Sequence, residues 1–149
     1  MTNSRMNRPP PDEPFVWLTR ELLASAAWRS MSINGHRVLY FLMREWMGKA
    51  GRENGRLKAP HRQLEASGIG ARLVADAIRE VEKLGLVECN RGGMRVATTY
   101  ALTWLPLHDG TPASNRWRLY RNPDLAPRAQ PKARNLPSEG EADYGNLPH

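Results

Sequence analysis

The strongest constraint on the fold is the stretch EASGIGARLVADAIREVEKLGLVE, residues 65–88. Two helical patterns are interrupted there by Gly68-Ile69-Gly70. Glycine adopts backbone angles that other residues rarely adopt, so this triplet predicts a tight turn that plugs Ile69 into the core. Gly85 is expected to end the second helix in the left-handed conformation. No side chain in the stretch has catalytic character, so it predicts a helix held at a fixed angle and not an active site.

The second helix spans about residues 71–84 and carries a continuous apolar stripe at helical spacing. A stripe of this kind predicts the buried face of a helix; its members are Leu73, Val74, Ala77, Ile78, Val81 and Leu84. The other faces carry Arg72, Ala75, Asp76, Arg79, Glu80 and Lys83. We expect those residues to lie on the surface.

Three further helices are predicted upstream. Thr19 is a suitable N-cap for a first helix that reaches Ala27, and residues 28–31 are expected to form an irregular link. Ser32 is the expected N-cap of the longest helix, which ends at Gly48. After a turn over residues 51–56, one brief strand ends at Pro60, and the next residues, 61–67, predict a two-turn helix.

A β-hairpin is predicted downstream. Residues 86–90 form its first strand, Arg91-Gly92-Gly93 its turn, and residues 94–104 its second strand, with Val96, Tyr100, Leu102 and Trp104 on one face. The register stays open because Gly-Gly permits more than one loop. Together these elements predict a mainly α fold with a small, three-stranded β-sheet, of the α+β class.

Both ends of the chain are rich in proline and poor in apolar residues. Residues 1–14 and residues 122–149 are therefore expected to be disordered, because they bury too little apolar surface to offset the entropy of ordering. One domain is expected over residues 15–121. The segment 115–121 alternates Arg with apolar residues. It predicts either an element packed on the first helix or a basic extension that binds phosphates.

Charge favours a nucleic-acid partner without establishing one. The chain has 22 Lys and Arg against 15 Asp and Glu, a formal net charge of +7. The whole excess falls between residues 14 and 121, and Arg outnumbers Lys. The planar guanidinium of Arg matches phosphate and guanine edges.

Other classes of function find little support in the sequence. Cys89 is the only cysteine and the four histidines are scattered, so neither a disulfide framework nor a metal site is expected. Phosphate-loop, dinucleotide-binding and serine-nucleophile motifs are missing, so we expect neither a cofactor nor enzyme activity. The chain has no apolar run long enough to cross a membrane and no signal-peptide pattern, so a cytoplasmic protein is expected.

The order of these elements, with Leu84-Gly85-Leu86-Val87 leading into a hairpin tipped by Arg91-Gly92-Gly93, resembles the winged helix-turn-helix DNA-binding domains of bacteria. The resemblance covers about residues 33–104. It implies three to four helices and a β-hairpin wing over about residues 86–104. The segments ENGRLKAP and YALTWLP are similar to parts of small winged-helix proteins of chromosomes, plasmids and phages.

The resemblance also implies which residues meet DNA. The helix over residues 71–84 would enter the major groove and present Ala71, Arg72, Leu73, Ala75, Asp76 and Arg79. The preceding helix would cross the sugar-phosphate backbone, with Lys58, His61, Arg62 and Gln63 as candidate contacts. The wing would bring Arg91, Gly92, Gly93 and Arg95 to the adjacent minor groove or its phosphates.

Two features of this surface depart from a strongly basic reader. Asp76 repels phosphate, and among the base edges of the major groove it accepts only from amino groups, typically that of cytosine. Ala71 and Ala75 offer methyl contacts and no hydrogen bond. Arg72 and Arg79 are thus the main polar candidates, unless they are solvated or pair with acids one helical turn away. The wing arginines similarly have the alternative role of keeping an exposed hairpin soluble.

The predicted function is sequence-specific binding of double-stranded DNA by a transcriptional regulator. One alternative is a replication or partition protein of a plasmid or phage. Another is an interaction module that keeps the fold but binds a protein such as RNA polymerase or another regulator; Asp76 favours it. A homodimer is expected because regulators of this kind usually read two half-sites, with Trp17, Trp28 and Trp117 as candidate contacts.

Overall fold

The computed structural model describes residues 7–125, which form a small α+β fold, as predicted. The α-helices are α1 (Arg20–Ala24), α2 (Ala26–Arg29), α3 (Ile33–Gly48), α4 (His61–Ala66) and α5 (Val74–Lys83). Two strands, β1 (Val87–Asn90) and β2 (Thr99–Leu102), form an antiparallel sheet, and 3₁₀ helices span Ala71–Leu73 and Arg116–Leu119. Most of the predicted disordered ends, residues 1–6 and 126–149, lies outside the described residues.

The first predicted helix is in fact two short helices that meet at Ser25. The backbone of Ser25 is extended, its N–H donates to the Leu22 carbonyl at the end of α1, and its hydroxyl accepts from the Trp28 N–H to cap α2. Trp28 therefore belongs to a helix and not to an irregular link. The described residues form five α-helices, more than the three to four that were expected. The predicted cap at Thr19 is confirmed, since its hydroxyl accepts from the Leu22 N–H at 3.1 Å.

The long central helix α3 supplies the middle of the core. Its predicted cap is confirmed, because the Ser32 hydroxyl accepts from the Gly35 N–H at 3.2 Å. One face of α3 is buried and packs mainly against α5; it carries Val38, Leu39, Leu42 and Trp46. Apolar residues of α4, α5 and both strands close the same core. The position of α5 is thus fixed largely by α3.

The sheet is smaller than predicted. Val87 pairs with Leu102 and Asn90 with Thr99, so residues 91–98 form a loop and not the start of a strand. The predicted third strand is reduced to a single bridge between Leu57 and Tyr100. Val96 was expected on the face of Tyr100, Leu102 and Trp104, but it lies in the loop and is 59% exposed. Gly92-Gly93 permits this longer loop, which strand periodicity does not foresee.

Asn54 fastens the loop after α3 to the end of β2. Its side chain is fully buried. The amide nitrogen donates to the carbonyls of Leu102, Leu105 and Pro106 at 3.0 Å, and the amide oxygen accepts from the Leu102 N–H at 2.8 Å. A residue of the predicted turn over residues 51–56 therefore forms buried hydrogen bonds that join two parts of the chain.

The segment after the sheet folds back onto the first two helices. The 3₁₀ helix Arg116–Leu119 packs on α2 and buries Trp117 in the core. Arg118 donates to Glu21 of α1 at 2.9 Å. Of the two alternatives for residues 115–121, the structure shows packing on the first helices. Trp117 is consequently buried within the chain, and its expected role in a dimer contact is wrong.

Candidate nucleic-acid interface

The turn between α4 and the next helix has the predicted geometry. The backbone of Gly68 is left-handed, with φ of 106°, and Ile69 is 1% exposed. From α3, Arg37 donates to the Gly68 carbonyl at 2.8 Å. The turn is therefore pinned from inside by Ile69 and from outside by Arg37, which fixes the angle between α4 and α5.

The apolar stripe of α5 is buried, with one exception. Val74, Ala77, Ile78 and Val81 lie in the core as predicted, and so does Leu84 after the helix. Leu73 is 48% exposed. Because Ala71–Leu73 is a 3₁₀ helix with about three residues per turn, the α-helical spacing does not hold there. Leu73 belongs to the exposed surface, in keeping with the groove-facing position that the resemblance implied.

A carboxylate on α5 ties this helix to the start of α3. Glu80 accepts hydrogen bonds from the Ser32 N–H at 2.5 Å and from the Ser32 hydroxyl at 2.6 Å. Anions are favourable at a helix N-terminus. Gly35 leaves room for this contact, since a Cβ there would lie 2.6 Å from Oε2 of Glu80. Helical periodicity placed Glu80 on the surface but did not predict its hydrogen bonds to Ser32.

Most of the predicted contact residues at the start of α5 are available on the surface. Ala71, Arg72, Asp76 and Arg79 are exposed, and Ala75 is half-buried. Within residues 7–125, the side chain of Arg72 forms neither a hydrogen bond nor an ion pair. Arg79 instead pairs with Asp76 one turn away, the alternative anticipated for it. Of the two polar candidates, only Arg72 is free for a ligand without a rearrangement.

The candidate residues before the turn are exposed as well. Lys58, His61, Arg62 and Gln63 are all exposed. Leu64 is buried and anchors α4, which packs against both α5 and the 3₁₀ helix before it. The elements that carry most of these candidates therefore pack against one another.

The β1–β2 loop, residues 91–98, is joined to α5 by an ion pair. The guanidinium of Arg91 donates to both carboxylate oxygens of Glu82 at 3.0 Å. This bidentate contact holds the pKa of Glu82 below its usual range. Arg91 therefore orients the loop, whereas Gly92, Gly93 and Arg95 remain exposed beyond it. Within residues 7–125, Arg95 has no ion-pair partner.

Other kinds of site find no support in the described part of the chain. Burial raises the pKa of the Cys89 thiol to about 11, and the Glu82 carboxylate beside it acts in the same direction. Residues 7–125 contain no group of His, Cys, Asp and Glu able to hold a metal ion. No helix among them has the length and apolarity needed to span a membrane.

Comparisons with protein-family models, with curated proteins and with solved structures find no match to the chain.

Proposed function

We propose that this protein binds double-stranded DNA in a sequence-specific manner and acts as a transcriptional regulator with a winged helix-turn-helix fold. In this proposal α4 lies across the sugar-phosphate backbone, the segment from Ala71 to Lys83 enters the major groove, and the β1–β2 loop is the wing. The order of elements and the pinned turn at Gly68-Ile69-Gly70 support it.

One observation carries most of this proposal: the exposed and unpaired Arg72 stands at the start of a helix whose opposite face is fully buried. An α-helix fits the major groove, and its N-terminal residues commonly contact base edges there. Arg can form two hydrogen bonds with guanine in that groove. A second free guanidinium, Arg95 on the β1–β2 loop, is placed for the neighbouring backbone or groove.

Asp76 makes the availability of Arg79 depend on the DNA that is bound. In the free protein its carboxylate holds Arg79. A phosphate or a guanine edge would compete for the guanidinium, and a cytosine amino group would compensate the carboxylate. Because both side chains are well exposed, the pair is weak enough to be exchanged at low cost. If the Asp76–Arg79 pair is replaced by DNA contacts only on the correct base sequence, the replacement provides selectivity.

The same ion pairs favour a second candidate, a protein-interaction module. Arg79 and Arg91 are both neutralised by acids of α5, so the surface is less basic than the sequence suggests. A surface of paired charges is suited to a protein partner that offers both signs. Binding that requires a protein and is unchanged by Arg72→Ala would support this candidate.

A homodimer remains part of the proposal. Exposed apolar side chains cluster along the chain at the start of the domain, namely Phe15, Trp17, Leu18 and Leu23. Regulators that read two half-sites usually do so as symmetric dimers, which would place this region near a two-fold axis. Sedimentation of the protein with and without DNA measures the state directly.

Selection of bound duplexes from a random pool tests the proposed function. The expected outcome is an enriched motif, with an inverted repeat if the protein is a dimer. The same selection with Arg72→Ala is expected to lose base preference at one position, whereas Arg52→Ala, at an exposed position in the loop after α3, serves as the matched control. A pool that stays random for the full chain would contradict sequence-specific binding.

A further inference from the structure

The tip of the β1–β2 loop combines apolar and cationic side chains in an unusual way. Met94 is 91% exposed, the highest exposure among the large apolar residues, and Val96 follows at 59%. Arg95 stands between them and is exposed too. Exposed apolar side chains that lie together often mark an interaction surface, and these stand on the surface proposed to face DNA.

The backbone at the tip is strained in a way that glycine would relieve. The Val96 N–H donates to the Gly93 carbonyl at 3.3 Å, so Met94 and Arg95 are the two corner residues of a β-turn. Arg95 has φ of 65°, whereas Met94 is not among the residues with positive φ. That combination is typical of a type II turn, which favours Gly or Asn at the second corner. Strained backbone of this kind is enriched at functional sites.

The tip is also braced rather than loose. Arg91 fixes the base of the loop to Glu82 of α5 through two hydrogen bonds of 3.0 Å. Val96 folds back over Gly92, where any Cβ would collide with its side chain. The space around Gly93 is open, with no heavy atom within 4 Å of a Cβ built there. Met94 and Arg95 therefore project from a supported loop.

Resting on the proposed function, we propose that Met94 and Arg95 form a wedge for the minor groove of duplex DNA. Arg95 lies along the groove, where a narrow width strengthens the negative potential, and Met94 enters between two base pairs. Inserted apolar side chains partly unstack one base-pair step and bend the duplex toward the major groove. Pyrimidine–purine steps unstack most easily, so the wedge selects such a step without any hydrogen bond to its bases.

This assignment explains why Arg95, and not glycine or asparagine, occupies the second corner of the turn. Met is long, unbranched and polarizable, so it adapts to the gap between unstacked bases. The two arginines of the loop have different roles in this proposal. Arg91 holds the loop to α5, and Arg95 contacts the DNA. Charge complementarity with the phosphates favours DNA over a second protein as the occupant of this tip.

The test compares four variants of the full chain on a duplex that carries the selected motif. Met94→Ala removes the wedge, Met94→Leu keeps an apolar side chain of similar size, Arg95→Gly relieves the turn, and Arg95→Lys keeps the charge. The readouts are affinity, the bend measured by energy transfer between dyes at the duplex ends, and the fluorescence of 2-aminopurine placed at successive steps. Thermal unfolding of each variant reports on the fold separately.

For the full chain, 2-aminopurine is expected to brighten at one step beside the major-groove site. Met94→Ala should lose that signal and most of the bend, with an affinity loss on the order of tenfold, whereas Met94→Leu keeps both. Arg95→Gly should unfold at an equal or higher temperature yet bind more weakly, and Arg95→Lys should fall between. A variant that is at least as stable but binds DNA more weakly would show that the positive φ of Arg95 serves binding and not folding.

The failures of the two proposals are distinguishable. If the full chain binds its motif but Met94→Ala and Arg95→Gly bind and bend it equally well, the wedge is wrong while the proposed function stands. If the full chain binds neither a selected nor a mixed-sequence duplex at low salt, the proposed function fails and the wedge fails with it.

Discussion

At the scale of single residues, Asp76 determines how many cations the surface offers. Its carboxylate neutralises Arg79 in the free protein and repels phosphate. Asp76→Asn removes one negative charge and releases Arg79. We expect affinity for duplex DNA to rise by roughly fivefold while the preference for the selected motif falls, because the added contacts are to phosphates and carry no sequence information.

Fluorescence anisotropy with the selected and a scrambled duplex measures this effect. Asp109→Asn is the matched control, because it removes the same charge from an exposed turn that carries none of the candidate contacts. A steeper dependence on salt should accompany the tighter binding of Asp76→Asn. Unchanged affinity for both duplexes would place Asp76 away from DNA.

Cys89 provides a second prediction at this scale. The pKa of its thiol is raised to about 11 by burial, so the neutral thiol is favoured in the folded protein. The stability linked to this group is present below its ordinary value of 9.0 and is lost as pH rises towards about 11. At pH 8 roughly a thousandth of the thiol is ionised, so alkylation of the native protein should be slow.

Alkylation by iodoacetamide, followed by mass spectrometry, measures the rate. We expect a large acceleration in denaturant and a rise in the native rate with pH up to about 11. Equal rates for folded and unfolded protein at pH 8 would show that Cys89 is not protected.

At the scale of elements, the joint between α3 and α5 is held by Glu80, Ser32 and the small residue Gly35. Gly35→Ala would improve helix propensity, but its Cβ would lie 2.6 Å from both Glu80 and Met31. We expect the steric clash to outweigh the gain in helix propensity, so the free energy of unfolding should fall by about 1–3 kcal/mol. Gly48→Ala in the same helix has open space around its Cβ and should be neutral or stabilising by up to about 1 kcal/mol.

Urea denaturation of the two variants measures the difference. In a Glu80→Ala background the cost of Gly35→Ala should shrink, because one of the two obstructing side chains is gone. If Gly35→Ala is as stable as the parent in both backgrounds, the joint has more room than its geometry implies.

The elements also show how far sequence patterns reach. Local signals predicted the caps at Thr19 and Ser32, the plug at Ile69 and the left-handed Gly85, whose φ is 81°. These features depend on neighbouring residues, so periodicity and turn chemistry identify them. The break at Ser25 was missed because an apolar stripe continues across it.

Local sequence patterns did not predict features that depend on contacts with distant residues or on the length of a loop. Arg91 was predicted to face DNA, but it pairs with Glu82, and Arg79 pairs with Asp76. The buried role of Asn54 follows from carbonyls 48 to 52 residues away. Exposure of Met94 requires the true length of the β1–β2 loop, which Gly-Gly left open. For the candidate residues, sequence patterns therefore predicted that most are exposed but not which of the cations are free of ion pairs.

At the scale of the whole molecule, Asn54 connects the helical part to the sheet that carries the β1–β2 loop. Asn54→Ala would leave the buried Leu102 N–H without its partner and remove three donated hydrogen bonds. We expect a loss of about 2–4 kcal/mol of unfolding free energy. Asn90→Ala, at an exposed strand end, should change stability by less than about 0.5 kcal/mol.

Chemical denaturation monitored by tryptophan fluorescence provides the comparison. The loss should appear in one cooperative transition, since Asn54 joins parts of a single core. Equal midpoints for Asn54→Ala and Asn90→Ala would show that the loop after α3 contributes nothing to the global fold.

The most direct test of the account is a titration of the full chain with its selected duplex and a scrambled duplex across a range of salt concentrations. We expect a preference for the selected duplex of about a thousandfold or more, with both affinities falling as salt rises. Equal affinities that collapse together with salt, or no binding even at low salt, would contradict a sequence-specific DNA-binding protein.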